Sequence, residues 1–151
     1  MELVKLIYVS TVSDAFTLSS FEEIMASAQR HNNENSITGV LYFNHKYFMQ
    51  YLEGDVSDVD STYSRIVKDV RHYNVKLLDK SMLDSRQFGC WSMAYILQSE
   101  ILKPLNLYFM DSPDFDPYRL NTQSANEIIT ELKSYLPLAH LHSGGLSKVY
   151  R

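Results

Sequence analysis

The sequence contains few of the residues that build covalent cross-links or nucleotide-binding loops. Its 151 residues include one cysteine, five glycines and four prolines. Because Cys90 cannot form an internal disulfide, stability must come from a hydrophobic core, and we expect a reducing, cytoplasmic location. The glycines form neither the dinucleotide-binding fingerprint nor a Walker loop. This argues against a conventional Rossmann or nucleoside-triphosphatase site.

An excess of positive charge and a long apolar run are also missing. The formal net charge is −4, and the lysines and arginines are scattered along the chain. Nucleic-acid phosphates or anionic lipids would require a basic surface, and a membrane span would require about 20 consecutive apolar residues. The N-terminus does not have the pattern of a signal peptide. We therefore expect no direct binding to nucleic acid and no membrane association.

The first half of the chain carries regular apolar patterns, and 45% hydrophobic content suits one domain. The nearly continuous apolar run from Leu3 to Ser10 predicts a strand covered on both faces. A capping box at Ser20–Glu23 predicts a helix over residues 20–31. Two β-rich runs, Ile37–Phe43 and Tyr47–Glu53, are separated by three polar residues, which predicts an antiparallel hairpin.

After Gly54, apolar residues repeat every 3.6 positions and predict a second helix. Its apolar residues are Val56, Val59, Tyr63, Ile66, Val67 and Val70. Two further strands are predicted at Val75–Met82 and Trp91–Leu97. The order βαββαββ predicts an α+β, ferredoxin-like fold with a five-stranded mixed sheet and two helices on one face.

Beyond Gln98 the pattern changes to prolines and two short apolar stretches, which predict short C-terminal helices. We expect residues 1–98 to form the functional domain and residues 99–151 to form a helical extension for output or capping. The last ten residues are expected to be disordered.

Two polar side chains interrupt runs that otherwise predict buried strands. Tyr8 lies within Leu6–Ser10, and Gln50 lies within Phe48–Gly54. A buried hydroxyl or amide without a partner costs about 1–3 kcal/mol, so the two should meet or share a ligand. The alternatives are that the Tyr8 hydroxyl lies at the rim of the core and that Gln50 has a purely structural partner.

The helices supply further polar groups near this pair. Asn32 follows Ile24 and Ala28 on the buried stripe of the first helix, unless it serves as a helix C-cap. Residues 65, 69 and 72 follow an i, i+4, i+7 pattern that predicts a polar ridge on the second helix, with a solvated ion pair as the alternative. A slot between two helices above Gln50 would suit a flat heterocycle with a polar edge, such as a flavin.

Five separated segments together resemble the BLUF family, the sensors of blue light using flavin. The segments are Leu6–Ser10, Arg30–Asn32 with Ile37–Gly39, Phe48–Gly54, Arg65–His72 and Trp91–Met93. Their order and spacing cover residues 2–97. The resemblance is to short stand-alone members, and it implies a sensor rather than an enzyme.

The resemblance also implies a role for each matching residue. Tyr8 corresponds to the photochemical electron donor, Gln50 to the amide between that tyrosine and the flavin, and Asn32 to the residue that binds the ring edge. The cofactor-binding residues implied are Tyr8, Ile24, Ser27, Ala28, His31, Asn32, Phe48, Gln50, Leu52, Arg65, Ile66, Asp69, Arg71 and His72. Among these, the residues that would sandwich the flavin ring are Ile24, Phe48, Leu52 and Ile66. Those that would lie near the ribityl chain and phosphate are Arg65, Asp69, Arg71 and His72. The implied cofactor is FAD, with FMN as the alternative.

In this scheme, Tyr8 gives up an electron and a proton through Gln50, whose amide is left rotated or tautomerised. Trp91 and Met93 share parity on the predicted last strand, so either side chain could approach Gln50 and relay the change. A role in the core alone is the other interpretation. The expected recipient is a separate downstream signalling protein, and a homo-oligomer is expected through the C-terminal helices.

Two other functions compete with this interpretation. A small hydrolase of the acylphosphatase type could use Arg30 and Asn32, but it needs a glycine-rich loop after the first strand, and Ser10–Asp14 has no glycine. A colourless interaction module with a decayed pocket would not need to retain Tyr8, Asn32 and Gln50. His140 and His142 have no nearby third ligand, so no metal site is predicted.

Overall fold

The computed structural model describes residues 2–14 and 17–136. The strands are β1 (Leu3–Val12), β2 (Thr38–Phe43), β3 (Tyr47–Asp55), β4 (His72–Met82) and β5 (Ala94–Leu97). The helices are α1 (Leu18–Glu34), α2 (Val56–Val67), α3 (Lys103–Met110) and α4 (Thr122–Lys133). The predicted element order is thus confirmed. The predictions for the last ten residues and for His140 and His142 lie outside the described residues.

The five strands form one mixed sheet in the order β4-β1-β3-β2-β5. Every neighbouring pair is antiparallel except β2 and β5, which run parallel. This is the predicted ferredoxin-like arrangement with one added strand. In the pairing of β1 with β3, Tyr8 lies directly opposite Gln50.

Helices cover both faces of the sheet, which explains why β1 reads as a continuous apolar run. Because strand side chains alternate, Leu6 and Tyr8 face α1 and α2, whereas Ile7 and Val9 face the C-terminal helices. We call these the α1/α2 face and the α3/α4 face. The apolar side of α4 packs against the α3/α4 face and is fully buried there.

Helix α1 is longer at both ends than predicted. Thr17, and not Ser20, is the N-cap: its hydroxyl accepts a 3.1 Å hydrogen bond from the Ser20 N–H. The helix ends at Glu34 with Asn35 as C-cap, so Asn32 lies inside the helix. The C-cap interpretation of Asn32 is therefore wrong.

Helix α2 is shorter than predicted. It ends at Val67, and the Val70 side chain is 85% exposed. The Lys68 N–H bonds back to the carbonyls of Arg65 and Ile66, which closes the last turn. Neither glycine nor proline marks this end, and the apolar period continues to Val70, so the sequence did not indicate where the helix ends. Asp69 and His72 consequently lie beyond the helix, and the prediction of a helical ridge is wrong.

The fifth strand begins later than predicted. Trp91 and Met93 belong to the connection that precedes Ala94, so their shared parity on a strand is a wrong prediction. The Gly39 N–H of β2 donates to the Trp91 carbonyl at 3.2 Å, which holds this connection against the sheet without regular pairing. Within the described part of the chain, no helix has the length and apolarity needed to cross a membrane.

Candidate functional site

A cavity of about 300 Å³ lies between α1 and α2, above β1 and β3. All residues predicted to bind a cofactor line it except Leu52. Four lining residues were not predicted: Met25, Leu41, Thr62 and Lys68. The cavity therefore collects side chains from six elements, β1, α1, β2, β3, α2 and β4, and from the connection after α2.

Leu52 is the one predicted cofactor-binding residue that does not line the cavity. It is fully buried opposite Leu6 and packs in the same cluster as Val59 of α2. Since Phe48 and Gln50 line the cavity and Leu52 does not, the cavity ends between Gln50 and Leu52 along β3. Leu52 packs in the core next to the cavity and does not form part of the cavity wall.

Tyr8 and Gln50 meet inside the cavity. The Tyr8 hydroxyl donates to Gln50 Oε1 at 2.5 Å, and the side chains are only 3% and 6% exposed. Burial raises the pKa of Tyr8 well above its ordinary value, and nearby Tyr63 and Asp69 add to the effect. The hydroxyl therefore remains protonated and acts as the donor. The other end of the Gln50 amide, Nε2, lies 3.5 Å from the sulfur of Met93.

His72 and Ser10 form a second polar pair beside Tyr8. His72 Nε2 lies 2.6 Å from the Ile66 carbonyl, which can only accept, so the proton is on Nε2. Its Nδ1 then accepts from the Ser10 hydroxyl at 2.8 Å. The imidazole packs edge-on against the Tyr8 ring, with centroids 6.1 Å apart. These contacts fix the wall beside Tyr8. Ser10 could have been found from the sequence, because it shares strand parity with Tyr8.

Asn32 brings a third buried amide to the cavity from α1. Its side chain is 2% exposed, and its Nδ2 donates to the Ser92 carbonyl at 2.9 Å. A primary amide has two N–H groups and one acceptor oxygen. With one N–H anchored to the protein, Asn32 retains one donor and one acceptor for the edge of a ligand.

His31 bridges α1 and α2 at the cavity rim. Its Nδ1 accepts a short hydrogen bond from the Arg65 guanidinium, and its Nε2 donates to the Thr62 hydroxyl at 2.9 Å. A guanidinium can only donate, which requires an unprotonated Nδ1. Consistently, burial and the Arg65 charge lower the pKa of His31. The bridge therefore requires neutral His31.

Cationic side chains surround the outer part of the cavity. Arg71 forms a bidentate pair with Asp69, with a shortest N–O distance of 2.6 Å, and this bond lowers the pKa of Asp69. Arg65 and Lys68 line the same region. Arginine forks and lysine ammonium groups are the usual protein ligands of phosphates. The rim is therefore suited to an anionic tail.

The residues fit a flavin. Ile24, Ala28 and Ile66 supply apolar walls for a flat ring, while Gln50 and Asn32 supply polar groups for its edge. The volume lies within the range of small-molecule sites, roughly 300–1,000 Å³. Ser27 completes the α1 side of the lining. In the described part of the chain, no group of three metal-ligating side chains accompanies this site.

Of the two predicted relay residues, Met93 is the one beside Gln50. Met93 is fully buried on the α1/α2 face. Trp91 is half-buried and packs near Phe88, with ring centroids 6.4 Å apart. The difference arises because the two residues lie in an irregular connection, where strand alternation does not apply.

The hydrolase alternative finds no support. Arg30 is exposed and does not line the cavity that contains Asn32. The two residues therefore do not converge on one phosphate site.

Comparisons with known proteins identify the family of this chain. A family model described as "Sensors of blue-light using FAD" (BLUF) matches residues 3–94. The blue light- and temperature-regulated antirepressor BluF of Escherichia coli K12 is 38% identical over 87 residues, which are 58% of this chain. The chain spans only 22% of the length of that protein.

Two solved structures resemble most of the chain. The photo-activated state of BlsA has a TM-score of 0.80 and 33% identity, covering 87% of this chain and 94% of BlsA. The dark-state structure of BlrB, a BLUF protein, has a TM-score of 0.68 and 29% identity, covering 88% of this chain and 93% of BlrB. The chain therefore belongs to the BLUF family of flavin-binding blue-light sensors.

Proposed function

We propose that this sensor converts light into a changed hydrogen-bond pattern at Gln50, with Tyr8 as the electron and proton donor. The Tyr8–Gln50 hydrogen bond inside the cavity carries the proposal. A bound flavin supplies the absorption of blue light and an electron acceptor. Tyr8 is suited to its role because its proton already lies on the path to the Gln50 oxygen.

Gln50 is suited to act as the switch because the two ends of its amide have nearly equal size. Rotation or tautomerisation exchanges donor and acceptor character without a change of shape. In this structure, which we assign to the dark state, Oε1 accepts from Tyr8 and Nε2 faces Met93. Either change alters both contacts at once, so Met93 experiences the event at Tyr8.

We assign FAD, rather than FMN, as the cofactor. The family model that matches residues 3–94 is described by its use of FAD, which supports this assignment. Mass spectrometry of the released pigment checks the assignment. Recovery of FMN alone from protein loaded in the presence of both flavins would contradict it.

The output is proposed to be a contact with a separate signalling protein in the cytoplasm, made by a homo-oligomer without enzymatic activity. Large apolar side chains remain exposed after β5: Ile101 is 49%, Leu107 54% and Tyr108 81% exposed. Such residues favour protein contacts. Light scattering coupled to size exclusion, in the dark and under blue light, measures the oligomeric state.

An absorption spectrum before and after blue light tests the proposed mechanism. We expect a yellow protein whose flavin bands shift to the red and return in the dark. Tyr8→Phe should bind flavin without the shift, because phenylalanine keeps the ring but cannot supply the proton. A normal photocycle in this variant would remove Tyr8 from the mechanism.

A further inference from the structure

Helix α1 holds the backbone before β5 with two amides one turn apart. Gln29 Nε2 donates to the Met93 carbonyl at 3.2 Å, and Asn32 Nδ2 donates to the Ser92 carbonyl at 2.9 Å. Ser92 and Met93 are consecutive, and β5 begins at the next residue, Ala94. The two bonds therefore fix the point at which the chain enters β5.

The two amides differ in their relation to the cavity. Asn32 lines it, whereas Gln29 does not, although Gln29 is only 5% exposed. Gln29 Oε1 is buried and has no hydrogen-bond partner among the described residues. Buried side-chain amides with one unsatisfied end are uncommon and need an explanation. A role in binding the flavin does not supply it, because the side chain faces Met93 instead.

Met93 is held from two sides by different amides. Gln50 Nε2 faces its sulfur at 3.5 Å, and Gln29 Nε2 binds its backbone carbonyl. A thioether is a weak acceptor on a flexible side chain, so the Gln50 contact alone would fix the backbone poorly. The bond from Gln29 acts on the backbone directly, and Ala94 follows immediately.

We infer that Gln29 is a positioning residue that clamps the start of β5 in its dark position and so sets how readily Gln50 displaces it. This inference rests on the proposed role of Gln50. Because Gln29 stabilises one of two positions of β5, removing its donor shifts the population toward the other. Since Gln29 Oε1 has no partner among the described residues, the hydrogen bond from Nε2 to the Met93 carbonyl is the side-chain contact through which Gln29 acts.

Gln29→Met tests the clamp, since methionine is similar in length and apolar but has no N–H. We expect unchanged flavin binding and an unchanged red shift, since Tyr8, Asn32 and Gln50 remain. Dark recovery should slow by about threefold to tenfold, the equilibrium effect of one ordinary hydrogen bond. In the dark, the backbone amide resonances of Ala94, Tyr95 and Ile96 should move part of the way toward their lit wild-type positions. A merely structural defect would shift these resonances in other directions, and not toward their lit wild-type positions.

Asn33→Met is the matched control, because Asn33 is an exposed amide on the same turns of α1. It should recover like the wild type. If Gln29→Met recovers within twofold of the wild type and its β5 resonances stay at their dark positions, the clamp is disproved. Gln29→Leu, which is also apolar and has no N–H, provides the same test if the methionine variant does not fold. Absence of a red shift in the wild type would instead disprove the proposed function of Gln50.

Discussion

Each face of the sheet carries a buried tyrosine that donates a hydrogen bond to a polar side chain of β3, but one pair lines a cavity and the other lies in a closed core. On the α1/α2 face, Tyr8 donates to Gln50 at the edge of a cavity. On the α3/α4 face, Tyr51 donates to Glu53 at 2.7 Å within a closed core. Both tyrosines belong to paired positions of β1 and β3, and both are buried. The difference lies in what surrounds the acceptor.

Glu53 is surrounded by fixed donors. Its fully buried carboxylate accepts from the Thr38 hydroxyl at 2.6 Å and from the backbone N–H groups of Gln87 and Phe88, each at 2.8 Å. A carboxylate in such a setting has one good arrangement. Gln50 has one strong and one weak partner, and its amide has two nearly equivalent arrangements. Under the proposed mechanism, the rigid network on one face keeps the sheet in shape while the Gln50 amide on the other face changes its hydrogen bonds.

Replacing each tyrosine by phenylalanine should give the largest difference between the two faces, in the red shift and in the free energy of unfolding. Tyr8→Phe should abolish the reversible red shift, whereas Tyr51→Phe should retain it. Tyr51→Phe should instead lower the free energy of unfolding by about 1.5–3 kcal/mol, because Glu53 loses a donor to its charged group. Difference absorption spectra and urea unfolding measure the two effects. Loss of the red shift in a folded, flavin-loaded Tyr51→Phe protein would show that the faces are not independent.

Truncation of one isoleucine on each face tests how tightly each is packed. Ile128 of α4 is fully buried, so Ile128→Ala should lower the free energy of unfolding by about 2–5 kcal/mol. Ile66 lines the cavity and is partly exposed, so Ile66→Ala should cost about 1 kcal/mol in flavin-free protein and weaken flavin binding. Equal destabilisation of the flavin-free proteins would contradict the contrast between a closed and an open face.

Acidic pH should weaken the α1/α2 face selectively. The pKa of His31 is lowered in the folded protein below its ordinary value of 6.5. The unfolded chain therefore takes up the proton first as the pH falls below 6.5, and the stability contributed by neutral His31 declines until its folded pKa is passed. On the α3/α4 face, the corresponding side-chain link is the neutral bond from Tyr42 to Asn106, at 2.7 Å.

Unfolding curves from about pH 7 to about pH 5 measure this effect. Wild-type protein should lose stability and release flavin more readily toward the acidic end, and His31→Gln should show a shallower dependence. An equally steep decline in His31→Gln would assign the effect to other groups.

The smallest effect is expected at a surface pair that links α2 to β4. Lys80 and Asp60 form an ion pair at 2.6 Å, and their side chains are 37% and 50% exposed. Asp60→Asn should change the free energy of unfolding by about 0.2–1 kcal/mol, and less at high salt. A larger change would contradict the interpretation of this pair as a solvent-screened surface contact.

The sequence predicted the parts of the fold that depend on periodicity. Alternation in β1 and β3 was sufficient to expect Tyr8 and Gln50 on one face, and helical spacing from Ile24 was sufficient to direct Asn32 to the cavity. These inferences succeed because a side chain in a regular element has a fixed direction. The chemical roles of these residues remain predictions.

Features set by tertiary hydrogen bonds were not predictable in the same way. The end of α2 carries no glycine or proline, and the connection around Trp91 follows the sheet through its bond to Gly39 rather than through a strand pattern. Glu53 was read as part of a motif, but its donors come from residues 38, 51, 87 and 88. Burial of such a carboxylate depends on distant groups that one sequence does not bring together.

Strand β5 lies at the margin of the sheet and has only four residues. It shares a ladder with β2 alone, whereas β1 and β3 each share ladders with two neighbours. A slip of β5 would therefore break hydrogen bonds along one edge and leave the other three ladders intact. Under the proposed mechanism, the sheet would therefore change at its edge while the strands that carry Tyr8 and Gln50 stay in register, so that the cavity keeps its shape through repeated light cycles.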